Sequence, residues 1–165
     1  KCYKNNKNLK LLIVGGGYSK YDNRILEKLL IKKSENLNEN IIKLIKWVHH
    51  GDMIDIYALT DISILASINA EGNSLFIMES MACGIPVICT NIGGLPEIIT
   101  NYDTGILINK ENLRNQLISA IMELVKNEKL RVVIGTNASA HIHKNHNLNI
   151  MTEKLEKYLQ SFIKE

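Results

Sequence analysis

With 165 residues, 45% of them hydrophobic and 22% charged, the chain can bury one sizeable core and leaves little room for a second domain. These proportions exclude a disordered or fibrous protein, and a formal charge of +3 carried by scattered lysines argues against nucleic acid as a partner. The longest apolar stretches, residues 62–66 and 75–78, fall far short of the about 20 residues a transmembrane helix needs, and no apolar signal segment follows the basic start, so a cytoplasmic location is expected.

Short β-type runs alternate with longer helical patterns, the arrangement of a parallel sheet covered on both faces. Leu11, Leu12, Ile13 and Val14 form a continuous apolar run that stops at Gly15, Gly16 and Gly17, as a buried parallel strand entering a turn does. Residues 22–33 set Ile25, Leu26, Leu29 and Leu30 on one helical face, and residues 34–40 read as a loop. A second strand is expected at 41–45, a helix at 52–59 and a third strand at 62–66. After the small, polar loop 66–73 comes a helix, 74–83, apolar on almost every side and therefore expected to be buried. Gly84 closes it in the usual C-terminal position. Residues 86–89 form a fourth strand, led by a proline at a place where no ladder bond is yet required. Gly93, Gly94, Leu95, Pro96 and Glu97 turn into a short helix, with proline near its first position. A fifth strand at 106–108 precedes helices at 111–126, 128–141 and 148–163. The expected architecture is one α/β domain over residues 1–165: a Rossmann-like parallel sheet of about five strands with helices on both faces.

Two acids require explanation. Glu71 lies in the loop after the third strand, and Glu79 sits in the apolar helix beyond its first turn, too deep for a capping box. No lysine or arginine stands three or four residues from Glu79, so a pair of ligand hydroxyls, or a distant cation, is the expected hydrogen-bonding partner. The same helix opens at Asn73, Ser74, Leu75 and Phe76, whose backbone amides and dipole suit a diphosphate at the carboxyl end of a parallel strand. The alternative is that the Asn73 and Ser74 side chains cap those amides.

These residues carry a resemblance. Ser67, then Glu71-Gly72 and Glu79 with seven residues between the two acids, then Met81-Ala82 and Gly84-Ile85-Pro86-Val87, continued by Gly93 to Glu97, resemble the donor-site signature of glycosyltransferase family four, the group 1 glycosyltransferases of GT-B fold. Leu11 to Gly17, Trp47, Val48, Tyr57, Asp61 and Gly105 extend the resemblance over nearly the whole chain. It implies the C-terminal, nucleotide-sugar-binding half of a two-domain enzyme that transfers a sugar from a nucleoside diphosphate to a hydroxyl acceptor with retention of configuration. In that scheme Glu71 is the catalytic residue, touching the donor sugar and stabilising charge at its anomeric carbon, and Glu79 holds the ribose. The amides of Asn73, Ser74, Leu75 and Phe76 take the distal phosphate, Gly16 and Gly17 line the diphosphate, and Trp47 and Val48 border the base. Gly72, Gly93 and Gly94 complete the donor contacts. No metal and no further cofactor is implied, and the leaving diphosphate assists deprotonation of the acceptor.

The chain departs from the family pattern at Asn73, where phenylalanine is frequent, and at Lys46, where glycine is. The strand that in the family precedes Leu11 and carries an arginine and a lysine is also missing, as is the acceptor-binding N-terminal domain, which could bring the protein to the inner face of a membrane. The strands at 11–14 and 62–66 are therefore expected either to pair directly or to leave a gap, and the isolated chain to be inactive. A non-catalytic nucleotide-sugar-binding module and a sugar-nucleotide epimerase are the alternatives.

The remaining features read as structural. The third glycine of a dinucleotide fingerprint would fall at Lys20, and the second strand ends without an acid. Glu97 suits the dipole of its helix. His49 and His50 read as loop residues, Trp47 as core, and Cys2, Cys83 and Cys89 as reduced thiols, the last two in the core. His141, His143 and His146 have spacings that put the first two on opposite sides of a helix, against metal binding.

Overall fold

A computed structural model of the chain describes residues 2, 6, 8–15, 28, 41–69 and 71–163. The expected helix 22–33 and loop 34–40 lie almost wholly outside them. The chain divides into two compact units, Lys1–Ile56 and Tyr57–Glu165.

In the first unit, β1 (Leu11–Val14) and β2 (Ile42–Ile45) pair in parallel, Leu11 opposite Ile42 and Val14 opposite Ile45. Leu11 and Val14 are exposed rather than buried, a correction to the expected buried strand. In a two-stranded sheet both strands are edges, and the continuous cover that an apolar run implies is not reached. A 3-10 turn at His50–Asp52 follows, with His49 Nδ1 accepting from the Gly51 amide at 3.1 Å. It leads into α1 (Met53–Ala58).

The second unit holds a three-stranded parallel sheet in the order β3 (Ser63–Leu65), β4 (Val87–Thr90), β5 (Ile106–Ile108). Its helices are α2 (Leu75–Ala82), α3 (Leu95–Ile98), α4 (Leu113–Lys126), α5 (Glu128–Asn145) and α6 (Leu148–Ile163). The five expected parallel strands are present, two in the sheet of the first unit and three in that of the second.

β4 is the centre, with all four residues fully buried. Because side chains alternate along a strand, Val87 and Cys89 face one layer and Ile88 the other. The first layer gathers Ile77 and Met81 of α2, Leu95 and Ile98 of α3, and Ala138 and Ile142 of α5. The second gathers Ile106 and Ile108 of β5, Ala120 and Leu124 of α4, and Ile134 of α5. Each large apolar side chain so covered stabilises the fold by about 1.5–3 kcal/mol, which makes β4 the anchor for the loops at its carboxyl end.

Two expectations of burial are corrected here. α2 buries Ile77, Ser80 and Met81 and half-buries Phe76, Met78 and Ala82, but Leu75 is 70% exposed, so the helix is not covered on every side. Cys83, at its end, is exposed, whereas Cys89 is buried and its thiol is pushed up to about 12 by burial, which keeps it protonated. α6 shows an uncovered apolar stripe: Leu148, Met151, Leu155, Tyr158 and Phe162, spaced three and four apart, are each more than half exposed. No helix among the described residues is long and apolar enough to cross a membrane.

Candidate functional site

The loop between β3 and α2 is fastened from β4. Thr90, fully buried at the end of that strand, donates its hydroxyl to the Ser67 carbonyl at 2.6 Å. Ser67 in turn donates its hydroxyl to Glu71 Oε2 at 2.8 Å. The Gly94 amide donates to the Glu71 carbonyl at 3.0 Å. Gly93 has a positive φ of 54°, and a Cβ there would stand 1.8 Å from the Glu71 carbonyl oxygen; a Cβ on Gly94 would stand 2.8 Å from Asn73 Oδ1. The glycine pair is thus the floor on which residues 71–73 rest. Glu71 is half-buried, while Gly72 and Asn73 are exposed.

α2 begins at Ser74, a residue type favoured at that position for the hydrogen bond its oxygen can accept. Here Ser74 has extended backbone and its side chain makes no capping bond; its carbonyl accepts the first helical bond, from the Met78 amide at 3.0 Å. The Ser74 side chain therefore does not take the first-turn amides that the dipole makes attractive to an anion.

Glu79, half-buried on α2, accepts a hydrogen bond at Oε2 from the Tyr57 hydroxyl at 2.6 Å. The partner is thus a buried phenol within the unit rather than the ligand or distant cation that the sequence suggests. Tyr57 is only 5% exposed. Burial first, then the hydrogen bond from its own hydroxyl to Glu79, the charge of Glu79 and that of Cys83, raise it above its ordinary value, so it remains a donor. The bond joins residues 22 positions apart on different elements, which no local pattern reports.

Of the other expected site residues, Gly16 and Gly17 lie outside the described residues. Trp47 is 76% exposed, with its ring edge-on to His49 at 6.0 Å, so the core reading is corrected; Val48 is half-buried. Glu97 is exposed in the first turn of α3, as a dipole partner would be. His141 and His146 have rings 5.3 Å apart, and His143 is exposed. Among the described residues no group of three or more His, Cys, Asp or Glu side chains is placed to hold a metal ion.

The α/β architecture, with parallel strands layered by helices, matches the C-terminal domains of GT-B glycosyltransferases. The family profile described as glycosyl transferases group 1 matches residues 1–141, and the chain belongs to that family. It is 31% identical over 157 residues to a GDP-mannose-dependent monoacylated alpha-(1-6)-phosphatidylinositol monomannoside mannosyltransferase of Corynebacterium glutamicum. That match covers 92% of this chain and 39% of the mannosyltransferase, so the chain spans about two-fifths of that relative's length. Among solved structures, the C-terminal domain of the group 1 family protein LpcC from Francisella tularensis is 24% identical with a TM-score of 0.78, covering 89% of this chain and 74% of that one. Anabaena HepE in complex with UDP-glucose is 21% identical with a TM-score of 0.80, covering 92% and 41%. These two likenesses concern the fold.

Proposed function

We propose that the chain is the donor-binding half of a two-domain enzyme that transfers a sugar from a nucleoside diphosphate to a hydroxyl acceptor with retention of configuration. The observation that carries this reading is the α2 region. Its N-terminus carries no Ser74 side-chain cap, and it lies between two carboxylates, Glu71, held by the Ser67 hydroxyl of its own loop, and Glu79, held by the Tyr57 hydroxyl of another helix. Breaking the bond from the anomeric carbon to the diphosphate leaves negative charge on phosphate and positive character on carbon. The amides of Asn73, Ser74, Leu75 and Phe76, with the helix dipole behind them, meet the first charge, and Glu71 meets the second. Glu79 takes the ribose hydroxyls. The acceptor oxygen attacks on the face the diphosphate leaves, and the diphosphate receives its proton. The uncovered stripe of α6 supports a second domain, since an apolar patch of that kind marks an interaction surface.

Titration with UDP and GDP tests the assignment, since HepE binds UDP-glucose and the mannosyltransferase depends on GDP-mannose. One nucleotide should bind, and Glu79→Ala should weaken it roughly tenfold or more, because each hydrogen bond to a charged acceptor contributes about 1.5–3 kcal/mol. Failure of both nucleotides to bind the wild-type chain would sink the reading. In the proposed scheme amides and a helix dipole carry the phosphate charge, so transfer by the complete enzyme should persist in EDTA. A loss that magnesium restores would assign that task to a cation instead.

A further inference from the structure

The hydrogen bond that holds Glu79 has a consequence for which nucleotides the site accepts. A glutamate side chain has three rotatable bonds, and a carboxylate left to rotate meets a ligand in many orientations. Here Tyr57 removes that freedom. Its hydroxyl donates to Oε2 at 2.6 Å, within the short range of charge-assisted O–H···O⁻ bonds, the strong class. The donor is itself fixed. Tyr57 is buried on α1, and its ring lies tilted against Phe76 in the first turn of α2, centroids 6.3 Å apart. One side chain thus touches the helix that offers the amides and orients the acid that follows them one turn later. A carboxylate has about four acceptor sites, and the phenol takes one of them.

We infer that Tyr57 is a positioning residue: its hydroxyl sets the Glu79 carboxylate in the orientation that reads both hydroxyls of a ribose, and so makes the site select ribonucleotide over 2′-deoxyribonucleotide donors. The inference rests on the role given to Glu79 above. The phenol serves as a donor only while protonated. Because its folded-state value is raised above the ordinary 10, it stays protonated as the pH climbs through the range in which an exposed tyrosine ionises. Glu79 would then keep its orientation across the whole neutral and mildly alkaline range.

The experiment measures the affinities of UDP, GDP and their 2′-deoxy counterparts for the complete chain by titration calorimetry. It compares wild type, Tyr57→Phe, Glu79→Ala and the double variant, with melting temperatures taken alongside. Phenylalanine keeps the ring that packs on Phe76 and removes only the hydroxyl. The wild-type chain should prefer the ribonucleotide, and Tyr57→Phe should shrink that preference several-fold while the affinity for the deoxynucleotide changes by less than about twofold. In the Glu79→Ala background the same substitution should change the preference no further. Equal weakening of ribo- and deoxynucleotide by Tyr57→Phe would make the phenol a packing element and overturn the inference, as would an unchanged preference. If Glu79→Ala binds ribonucleotide as tightly as wild type, the ribose role of Glu79 fails first. If Glu79→Ala loses the preference and Tyr57→Phe keeps it, that role stands and only the part given to Tyr57 falls.

Discussion

In the complete enzyme proposed above, Gly93→Ala should lower kcat/KM for the proposed sugar transfer by about a hundredfold while leaving the protein folded. Two effects act at this position and they differ in size. Alanine at a φ of 54° costs about 1–2 kcal/mol of left-handed strain, which a fold of this size survives. The steric effect is larger. The new methyl would fall 1.8 Å from the Glu71 carbonyl oxygen, 2.9 Å from its carbon and 3.1 Å from its nitrogen, all backbone atoms with no rotamer to escape into. Residues 71–73 must therefore lift, breaking the bond from the Gly94 amide and pulling Glu71 away from the Ser67 hydroxyl that orients it. A displacement of about 1 Å in a reacting group can cost 10²-fold, because the productive geometry is lost before the contact is. Because the loop can lift and relieve most of the clash, strain and overpacking together should stay near their lower ends, about 2 kcal/mol, and the melting temperature should fall by roughly 4–8 °C at about 2–4 °C per kcal/mol. Steady-state kinetics beside a thermal melt check both parts. Wild-type kcat/KM would show that Glu71 does not depend on its glycine floor.

Where local pattern decides structure, the reading of the sequence and the coordinates agree. β1 and α6 occupy the expected 11–14 and 148–163 because an apolar run ending in glycine and a clear 3.6-residue period leave no competing element. The fourth strand starts at Val87 rather than Pro86, one residue late, since proline has no N–H to give the ladder; its carbonyl instead accepts from the Ser63 amide at 3.1 Å. α5 runs to Asn145 rather than stopping at 141: no glycine or proline lies between His141 and Asn145, and His143 and Lys144 suit the negative end of the dipole. Features that depend on distant partners were out of reach. A tyrosine and a glutamate in separate helices carry no spacing rule, and the division of five strands into two sheets is a matter of pairing rather than of any strand's own residues. Ser74 shows the limit of propensity: the residue type is right for a cap, yet its side chain makes no such bond. The same gap separates the motif from the site, for the seven-residue spacing of the two acids was visible while the hydroxyls that aim them were not.

Gly135→Ala should give the opposite pattern to Gly93→Ala, a large loss of stability with nucleotide affinity retained in the folded protein. Gly135 lies buried in the middle of α5, where alanine has the better helix propensity by about 1 kcal/mol, so propensity alone predicts stabilisation. The neighbour reverses the sign. A Cβ at Gly135 would stand 2.0 Å from the Gly84 carbonyl oxygen and 3.0 Å from its carbon, with Pro86 Cδ at 3.6 Å. Gly84 cannot easily retreat, because it ends α2 with a φ of 74° and its amide donates to the Met81 carbonyl at 2.9 Å. Relief requires α5 to move off α2, opening the layer where Ala138 and Ile142 meet Ile77 and Met81. A net cost of about 3 kcal/mol, the upper end for overpacking, is expected, and with it a fall in melting temperature of roughly 6–12 °C. The strain falls on the C-terminal end of α2, whereas the loop that holds Glu71 is fastened to β4 through Thr90 and to the glycine pair at 93 and 94. Titration well below the melting temperature should therefore give a dissociation constant within about threefold of wild type, and a melt no lower than that of the wild-type chain would mean that α2 and α5 tolerate a wider separation than their packing implies.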